Sequence, residues 1–230
     1  MNKLENVDTA TKARQLLSDT IYYLNSKGYT HTISGGTLLG CKRNNQFIPY
    51  DDDVDIDIHL NSRKELDELI SNDFKVKNYH TENYTWGYKI FDMSWPKLKL
   101  SKWVRHCDDV RFQLCEQGIH YNRSKLWQTA SKTYEPKLMN DTHYPYIDIT
   151  LTMKDNDRYR NIDLNGSVIN HWSRWNYTID DIEKKQVRLF EGSQVFIPCS
   201  NHYLDNGYPG WKNTFLIKGR KADIPTEPYC

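Results

Sequence analysis

No stretch of this 230-residue sequence approaches the roughly 18 apolar residues that a membrane-spanning helix needs, so no transmembrane segment is expected. The N-terminal MNKLENVDTA has no basic segment followed by an apolar one, so no secretory signal is visible. Cysteine is sparse: Cys41, Cys107, Cys115, Cys199 and Cys230 are odd in number and form no C-x-x-C pair. That excludes a zinc ribbon and a disulfide framework, and it reads as reduced thiols of a cytoplasmic protein. Surplus charge is lacking too. Lys plus Arg total 31 against 30 Asp plus Glu, so a net charge of +1 gives no electrostatic footprint for nucleic acid. There is no internal repeat and no low-complexity tract. The apolar share is low at 38%, but 13% aromatics, with 16 Tyr and 7 Trp, supply large buried areas per residue, enough for one core. The length bounds the chain to one domain, or one domain with an appended lobe.

What the chain does have is concentrated between Gly35 and Asp57, GGTLLGCKRNNQFIPYDDDVDID. Five aspartates, Asp51, Asp52, Asp53, Asp55 and Asp57, fall within seven positions. Two such charges 4 Å apart repel by about 4 kcal/mol at an effective dielectric near 20, so water, a Lys or Arg, or a divalent cation must offset them. Val54, Ile56 and Ile58 alternate with Asp53, Asp55 and Asp57, the period-2 pattern of a half-buried strand. The aspartates then share the face opposite the core, where converging carboxylates can reach one Mg²⁺. A solvated acidic face is the alternative, and the interleaved apolar residues and upstream Gly-Gly-Thr favour metal. A calcium loop fails on register, because an EF-hand needs Gly at its sixth and Glu at its twelfth position. Counting from Asp51 or from Asp53 puts Ile56 and Ser62, or Ile58 and Lys64, there.

Around this stretch the chain organises as follows. Ala13, Leu16, Leu17, Ile21 and Leu24 have helical spacing, with Asp8 as the expected N-cap and Gly28 at the end. A short strand over Tyr29–Ser34 delivers Gly35, Gly36 and Thr37 to a turn or helix start whose backbone N–H groups suit phosphate oxygens. Residues Cys41–Gln46 read as a polar loop, in which Lys42 and Arg43 either are solvated or bind a diphosphate, Arg43 bidentately. Ser62-Arg-Lys-Glu65 has capping-box form before a helix with Leu66, Leu69 and Ile70 as its stripe. Strands of a mostly antiparallel sheet are expected at Phe74–Tyr79, Trp86–Phe91, Leu98–Leu100 and Val110–Cys115. Lys89 either points its charge at the site or belongs to an edge strand. Residues 117–142 read as a loop or helical insertion.

Asp148, between Ile147 and Ile149, is a lone carboxylate in a strand-like run. That local conflict marks it as a third metal ligand or a general base. Past 153, His171-Trp172-Ser-Arg174-Trp175 serves either as a sugar platform or as packing. Gln186–Phe190 and Gln194–Pro198 form a hairpin, Ser200 caps a short helix ending at Gly207, and the tail 218–230 is polar and frayed. The catalytic core thus spans about 8–153, with a C-terminal lobe over about 154–217.

GGTLLGCKRNNQFIPYDDDVDI resembles the signature of the LicD/fukutin family of phosphotransferases, close to G-T-L-L-G-x-x-R-x-x-x-x-I-P-W-D-D-D-x-D-I. Tyr146-Ile147-Asp148-Ile149 resembles the family's downstream V-D-I-F segment. Val195–Pro198 through Tyr203-Leu204 and Gly210-Trp211 resembles its late V-x-V-P…Y-L…Y-G…W segment. The resemblance implies an α+β, nucleotidyltransferase-like fold: a small mixed sheet flanked by helices, with an appended C-terminal lobe. It also implies transfer of phosphocholine or ribitol phosphate from a CDP-linked donor to a sugar hydroxyl of a glycan, with Mg²⁺ or Mn²⁺. Asp53 and Asp55 match the family's D-x-D pair, Asp148 its third carboxylate, and Arg43 its loop arginine. Tyr50 stands where Trp is usual, Thr150-Leu151 where Phe-Pro is common, and Pro209 interrupts the Y-G pattern.

The expected site is therefore Asp53, Asp55 and Asp148 on the metal. Gly35, Gly36, Thr37, Lys42, Arg43 and Lys89 bind substrate around them. A nucleotide-sugar glycosyltransferase or a nucleotidyltransferase would use the same carboxylates, and an inactive glycan-binding relative would use none.

Overall fold

A computed structural model describes residues 7–48, 51, 53–95, 143, 145–212, 216–217 and 220–221. The expected strands at Leu98–Leu100 and Val110–Cys115, the insertion at 117–142 and most of the tail lie outside the described residues.

The chain opens with α1 (Val7–Ser26), whose Ala13, Leu16, Leu17, Ile21 and Leu24 are all buried, as their spacing requires. Asp8 lies inside the first turn, paired with Lys12 at 2.7 Å, and is not the cap. Gly28, at φ +71°, takes the left-handed turn that ends the helix. Then come β1 (His31–Ile33), α2 (Gly35–Asn44), β2 (Asp53–Leu60), α3 (Arg63–Ser71), β3 (His80–Tyr84) and β4 (Gly87–Phe91). The expected loop over Cys41–Gln46 is for the most part the last turn of α2, which Asn45 closes at φ 54°. Phe74–Tyr79 is not a strand. It is irregular chain that drops Phe74 and Val76 into the core, so its apolar alternation records two plugs instead of a pleat. Ser62 caps α3 by accepting from the Glu65 N–H, while the Glu65 carboxylate reaches back one residue further, to the Asn61 N–H at 2.8 Å. Of the α3 stripe, Leu66 and Leu69 are buried and Ile70 is exposed.

After the undescribed segment the chain continues as β5 (Tyr146–Asp155), β6 (Arg158–Ile162), a 3-10 turn at Asn170–Trp172, β7 (Tyr177–Thr178) and α4 (Ile179–Glu183). It ends with β8 (Gln186–Phe190), β9 (Ser193–Ile197), α5 (His202–Gly207) and a small pair, β10 (Leu216–Ile217) with β11 (Arg220–Lys221). Glu191 and Gly192, both at positive φ, make the two-residue turn between β8 and β9. The fold is α+β.

Among the described residues the central sheet has seven strands. Along it run β1, β2, β5, β4 and β3, with β2 and β5 parallel and the other pairs antiparallel. The ten-residue β5 is its axis. β2 follows one edge of β5 over most of its length. The other edge is divided, with β4 pairing residues 146–150 and β6 pairing 151–155. The segment past 153 thus adds β6 and β7 to the same sheet, and its β8–β9 hairpin packs against β1 and α1.

One face of the sheet is apolar. Val54, Ile56 and Ile58 of β2, Ile147, Ile149 and Leu151 of β5, and Tyr88 and Ile90 of β4 are all buried there, in one cluster with α1 and α3. Each such side chain contributes about 1.5–3 kcal/mol when fully buried. The other face is polar, and its register is the basis of the site.

Candidate functional site

Register places Asp55 of β2 opposite Asp148 of β5, and Asp148 opposite Lys89 of β4. Below this row lie Asp53, Tyr146 and Phe91, and above it Asp57, Thr150 and Gly87. Side-chain alternation turns all the carboxylates in these rows to the polar face. Asp53, Asp55 and Asp148 bring carboxylate oxygens within 4.8 Å of one another. Three oxygen donors at that spacing could hold a metal ion.

The Gly-Gly-Thr turn holds this cluster from beside it. The Gly36 N–H donates to Asp55 Oδ2 at 2.9 Å, and the Asp55 N–H donates to Thr37 Oγ1 at 2.8 Å. The Gly35 N–H donates to the Tyr203 hydroxyl at 3.1 Å. The Gly35 and Gly36 amides expected to face a phosphate are therefore engaged by the protein, one of them by a carboxylate of the cluster. A Cβ on Gly35 would lie 2.2 Å from Asp55 Oδ2, and one on Gly36 would lie 2.1 Å from Asp51 Oδ2. Gly35, at φ +50°, needs glycine because Asp55 packs directly against the start of α2, whereas at Gly36 only the tip of the Asp51 side chain stands in the way.

Asp57 plays a different part from its neighbours in the run. It is 1% exposed and accepts from Ser34 Oγ at 2.7 Å, from the Tyr177 hydroxyl at 2.6 Å and from Thr150 Oγ1. Burial pushes its carboxyl above the usual range, and those hydroxyls pull it back. Asp55 is raised further, first by burial and then by Asp51, Asp148 and Asp57 around it, against the Gly36 N–H. A cation would relieve that repulsion. Tyr203 and Tyr208 beside the cluster are held protonated, by burial first and then by carboxylates: Asp57 most for Tyr203, Asp55 most for Tyr208.

Lys89 reaches the site: its ammonium pairs with Asp148, both side chains mostly buried. It also stands over three rings, 3.8 Å from the centroid of Tyr146, 5.5 Å from Tyr84 and 5.6 Å from Trp86. Arg43 sits in the last turn of α2, where its Nε donates to the Trp211 carbonyl at 2.8 Å, and its charge acts on Tyr208 at the edge of the cluster. Lys42 is not brought to the carboxylates. Burial lowers its pKa, and the charges that act on it are Arg188, Cys41, Cys199 and Asp181.

Above the cluster opens a cavity of about 340 Å³. Ser34, Gly35, Asp55, Asp148 and Thr150 line its floor, and Trp86, Asn161, Trp172, Trp175, Tyr203 and Tyr208 line the rest. Trp172 and Trp175, from the segment that read as either platform or packing, line the cavity and pack against neighbouring rings. Trp175 packs on Tyr203 and Tyr208 and against Gly207, where a Cβ would lie 1.9 Å from its ring. Of the expected residues, the carboxylates, Gly35, Gly36, Thr37 and Lys89 lie together, while sequence reasoning gave no role to Asp57, Asn161, Trp86, Tyr203 or Tyr208. Tyr203 and Trp211 carried the only signal, as anchors of the late Y-L…W segment. No helix among the described residues is long and apolar enough to cross a membrane.

No curated protein shows significant similarity to this chain. A family model does match, described as LicD/FKTN/FKRP, nucleotidyltransferase domain, over residues 28–135. That span takes in the Gly-Gly-Thr turn, the aspartate strand and Lys89. That match supports assigning the chain to the LicD/FKTN/FKRP family.

Proposed function

We propose that this chain transfers a phospho-alcohol, phosphocholine or ribitol phosphate, from a CDP-linked donor to a sugar hydroxyl of a glycan. The family implies a phosphotransferase-type activity on glycans. Donor, acceptor and metal are the finer reading. The observation that carries it is the meeting of Asp53, Asp55 and Asp148 from two parallel strands, with Asp55 and Asp148 lining a ligand-sized cavity. These residues would hold Mg²⁺ or Mn²⁺, which supplies charge neutralisation at the donor diphosphate as the phosphorus–oxygen bond to CMP breaks.

The chain's own residues do the rest. Gly36 and Thr37 fix Asp55 in one orientation, so the cluster is organised before the donor arrives. Lys89 pairs with Asp148 and holds its carboxylate beside those of Asp53 and Asp55, a placement that suits a metal ligand. Tyr208 lines the cavity, where its hydroxyl can meet phosphate oxygens, and Arg43, bonded to the Trp211 carbonyl, acts on Tyr208 by charge. Gly35 stays within this substrate-binding group through its place on the cavity floor, and Lys42 does not line the cavity. The unbridged thiols of Cys41 and Cys199 fit a cytoplasmic setting.

The test is calorimetric titration of CDP-choline and CDP-ribitol, with and without Mg²⁺ or Mn²⁺, on wild type and Asp53→Asn. Metal-dependent binding of a CDP-alcohol that the variant loses, with its fold intact, supports the reading. If UDP-sugars or a nucleoside triphosphate bind instead, the chain is a glycosyltransferase or a nucleotidyltransferase on the same carboxylates. If nothing binds, it is a glycan-binding relative without activity.

A further inference from the structure

Asn161 is unlike the other polar groups of the cavity. It projects from β6 on the polar face, opposite Thr152 of β5, and is 5% exposed. Its carbonyl oxygen Oδ1 is buried with no hydrogen-bond partner, although Asn161 lines the cavity. Its main chain is satisfied, the carbonyl accepting from the Ile169 N–H at 2.9 Å, so the strand itself is in order. A buried carboxamide left unpaired carries a free-energy penalty that a ligand with hydroxyl or N–H groups removes.

The walls beside it are indole rings. Trp86 and Trp172 lie 6.2 Å apart at a tilt of 56°, and Trp175 closes the side toward Tyr203. Rings around a buried carboxamide suit two kinds of guest: a sugar or polyol, whose C–H faces pack on indole while its hydroxyls bond, or an alkylammonium held by cation–π attraction. The carboxamide separates the two: a trimethylammonium group has no hydrogen to give, and it would leave Asn161 Oδ1 unpaired.

We propose that Asn161, with Trp86, Trp172 and Trp175, forms a subsite for a neutral hydroxyl-bearing group, a polyol or a sugar ring, directly above the carboxylate cluster. The subsite rests on the proposed function only for which molecule brings that group, the alcohol of the donor or the sugar of the acceptor.

The full chain with Mg²⁺ is titrated with CDP-ribitol, CDP-choline, CMP and a neutral oligosaccharide, following heat and tryptophan fluorescence. Asn161→Leu removes the carboxamide at similar volume, and Asn161→Ser stands in for it if the first variant unfolds at a lower temperature than wild type. If the donor fills the subsite, CDP-ribitol binds at least roughly tenfold tighter than CDP-choline, and the variant erases that preference without changing CMP. If the acceptor fills it, the oligosaccharide quenches tryptophan fluorescence saturably, and the variant weakens that about tenfold. Failure of every CDP compound to bind overturns the donor reading of function but not the subsite, which the oligosaccharide arm then decides. The subsite is overturned if CDP-choline matches CDP-ribitol and no oligosaccharide binds, if the variants weaken CMP equally, or if they change nothing.

Discussion

Gly35→Ala tests how the start of α2 organises the carboxylates, and Gly28→Ala supplies its control. Both glycines have left-handed backbones, φ +50° and +71°. An alanine forced to remain there costs about 1–2 kcal/mol. At Gly28 nothing lies within 4 Å of the added Cβ, so the backbone term is the whole effect. At Gly35 the Cβ would stand 2.2 Å from Asp55 Oδ2 and 2.6 Å from its carboxyl carbon, so Asp55 must leave. Leaving breaks its bond from the Gly36 N–H, a charge-assisted contact of about 1.5–3 kcal/mol. The expected losses are then about 1–2 kcal/mol for Gly28→Ala and about 2.5–5 kcal/mol for Gly35→Ala. For a domain of this size that separates the two thermal midpoints by several degrees, at about 2–4 °C per kcal/mol. Calorimetric Mg²⁺ titration of the same proteins reads the second consequence: Gly35→Ala loses affinity, and Gly28→Ala keeps that of wild type. If Gly35→Ala is no less stable than Gly28→Ala and binds Mg²⁺ as wild type does, then α2 does not position Asp55.

Three further outcomes follow from other parts of the site. Asp57→Asn loses about 2 kcal/mol of stability in urea unfolding, because a buried carboxylate accepting from three hydroxyls is replaced by an amide, while Mg²⁺ affinity stays near wild type. Lys89→Met leaves Asp148 beside two carboxylates without its cation. The apo variant is destabilised by about 2–3 kcal/mol, and Mg²⁺ raises its thermal midpoint by more than that of wild type, as scanning calorimetry would record. His59 is buried between Thr32 and Thr152, and burial first, then His31 and Lys185, holds its pKa well below the usual value. As pH falls below about 6.5 the unfolded chain takes up a proton that the folded one refuses, so stability is full above that pH and is lost below it. Against His59→Gln, wild type therefore loses up to about 1.4 kcal/mol per pH unit on acidification, and parallel slopes in the two proteins would refute the assignment.

Much of this molecule was legible in its sequence because the signals were local. The period of α1, the alternation of Val54, Ile56 and Ile58 with aspartates, and the Glu191-Gly192 turn each follow from a few neighbouring residues. What was not legible depends on register between distant strands. Alternation assigns Asp148 to a face, but only the parallel pairing of β2 with β5 sets it opposite Asp55, and only the antiparallel β4 brings Lys89 to it. The same holds for Asp57, which is indistinguishable from Asp53 in the run until Ser34, Thr150 and Tyr177 close around it. Phe74–Tyr79 misleads for the converse reason. Two apolar residues two apart satisfy a strand pattern equally well when each plugs the core from irregular chain.

The divided edge of β5 has a consequence for how such a protein can change over generations. Asp148 lies in the half of β5 that pairs with β4, and Thr152, the partner of Asn161, lies in the half that pairs with β6. The residues that gather charge and those that present a face to a guest molecule thus hang from one strand but pair with different neighbours. Substitutions along β6 and the Asn170–Trp172 turn can reshape the upper cavity without disturbing the row Asp55–Asp148–Lys89. A new guest can therefore be tried while the chemistry below it is inherited unchanged.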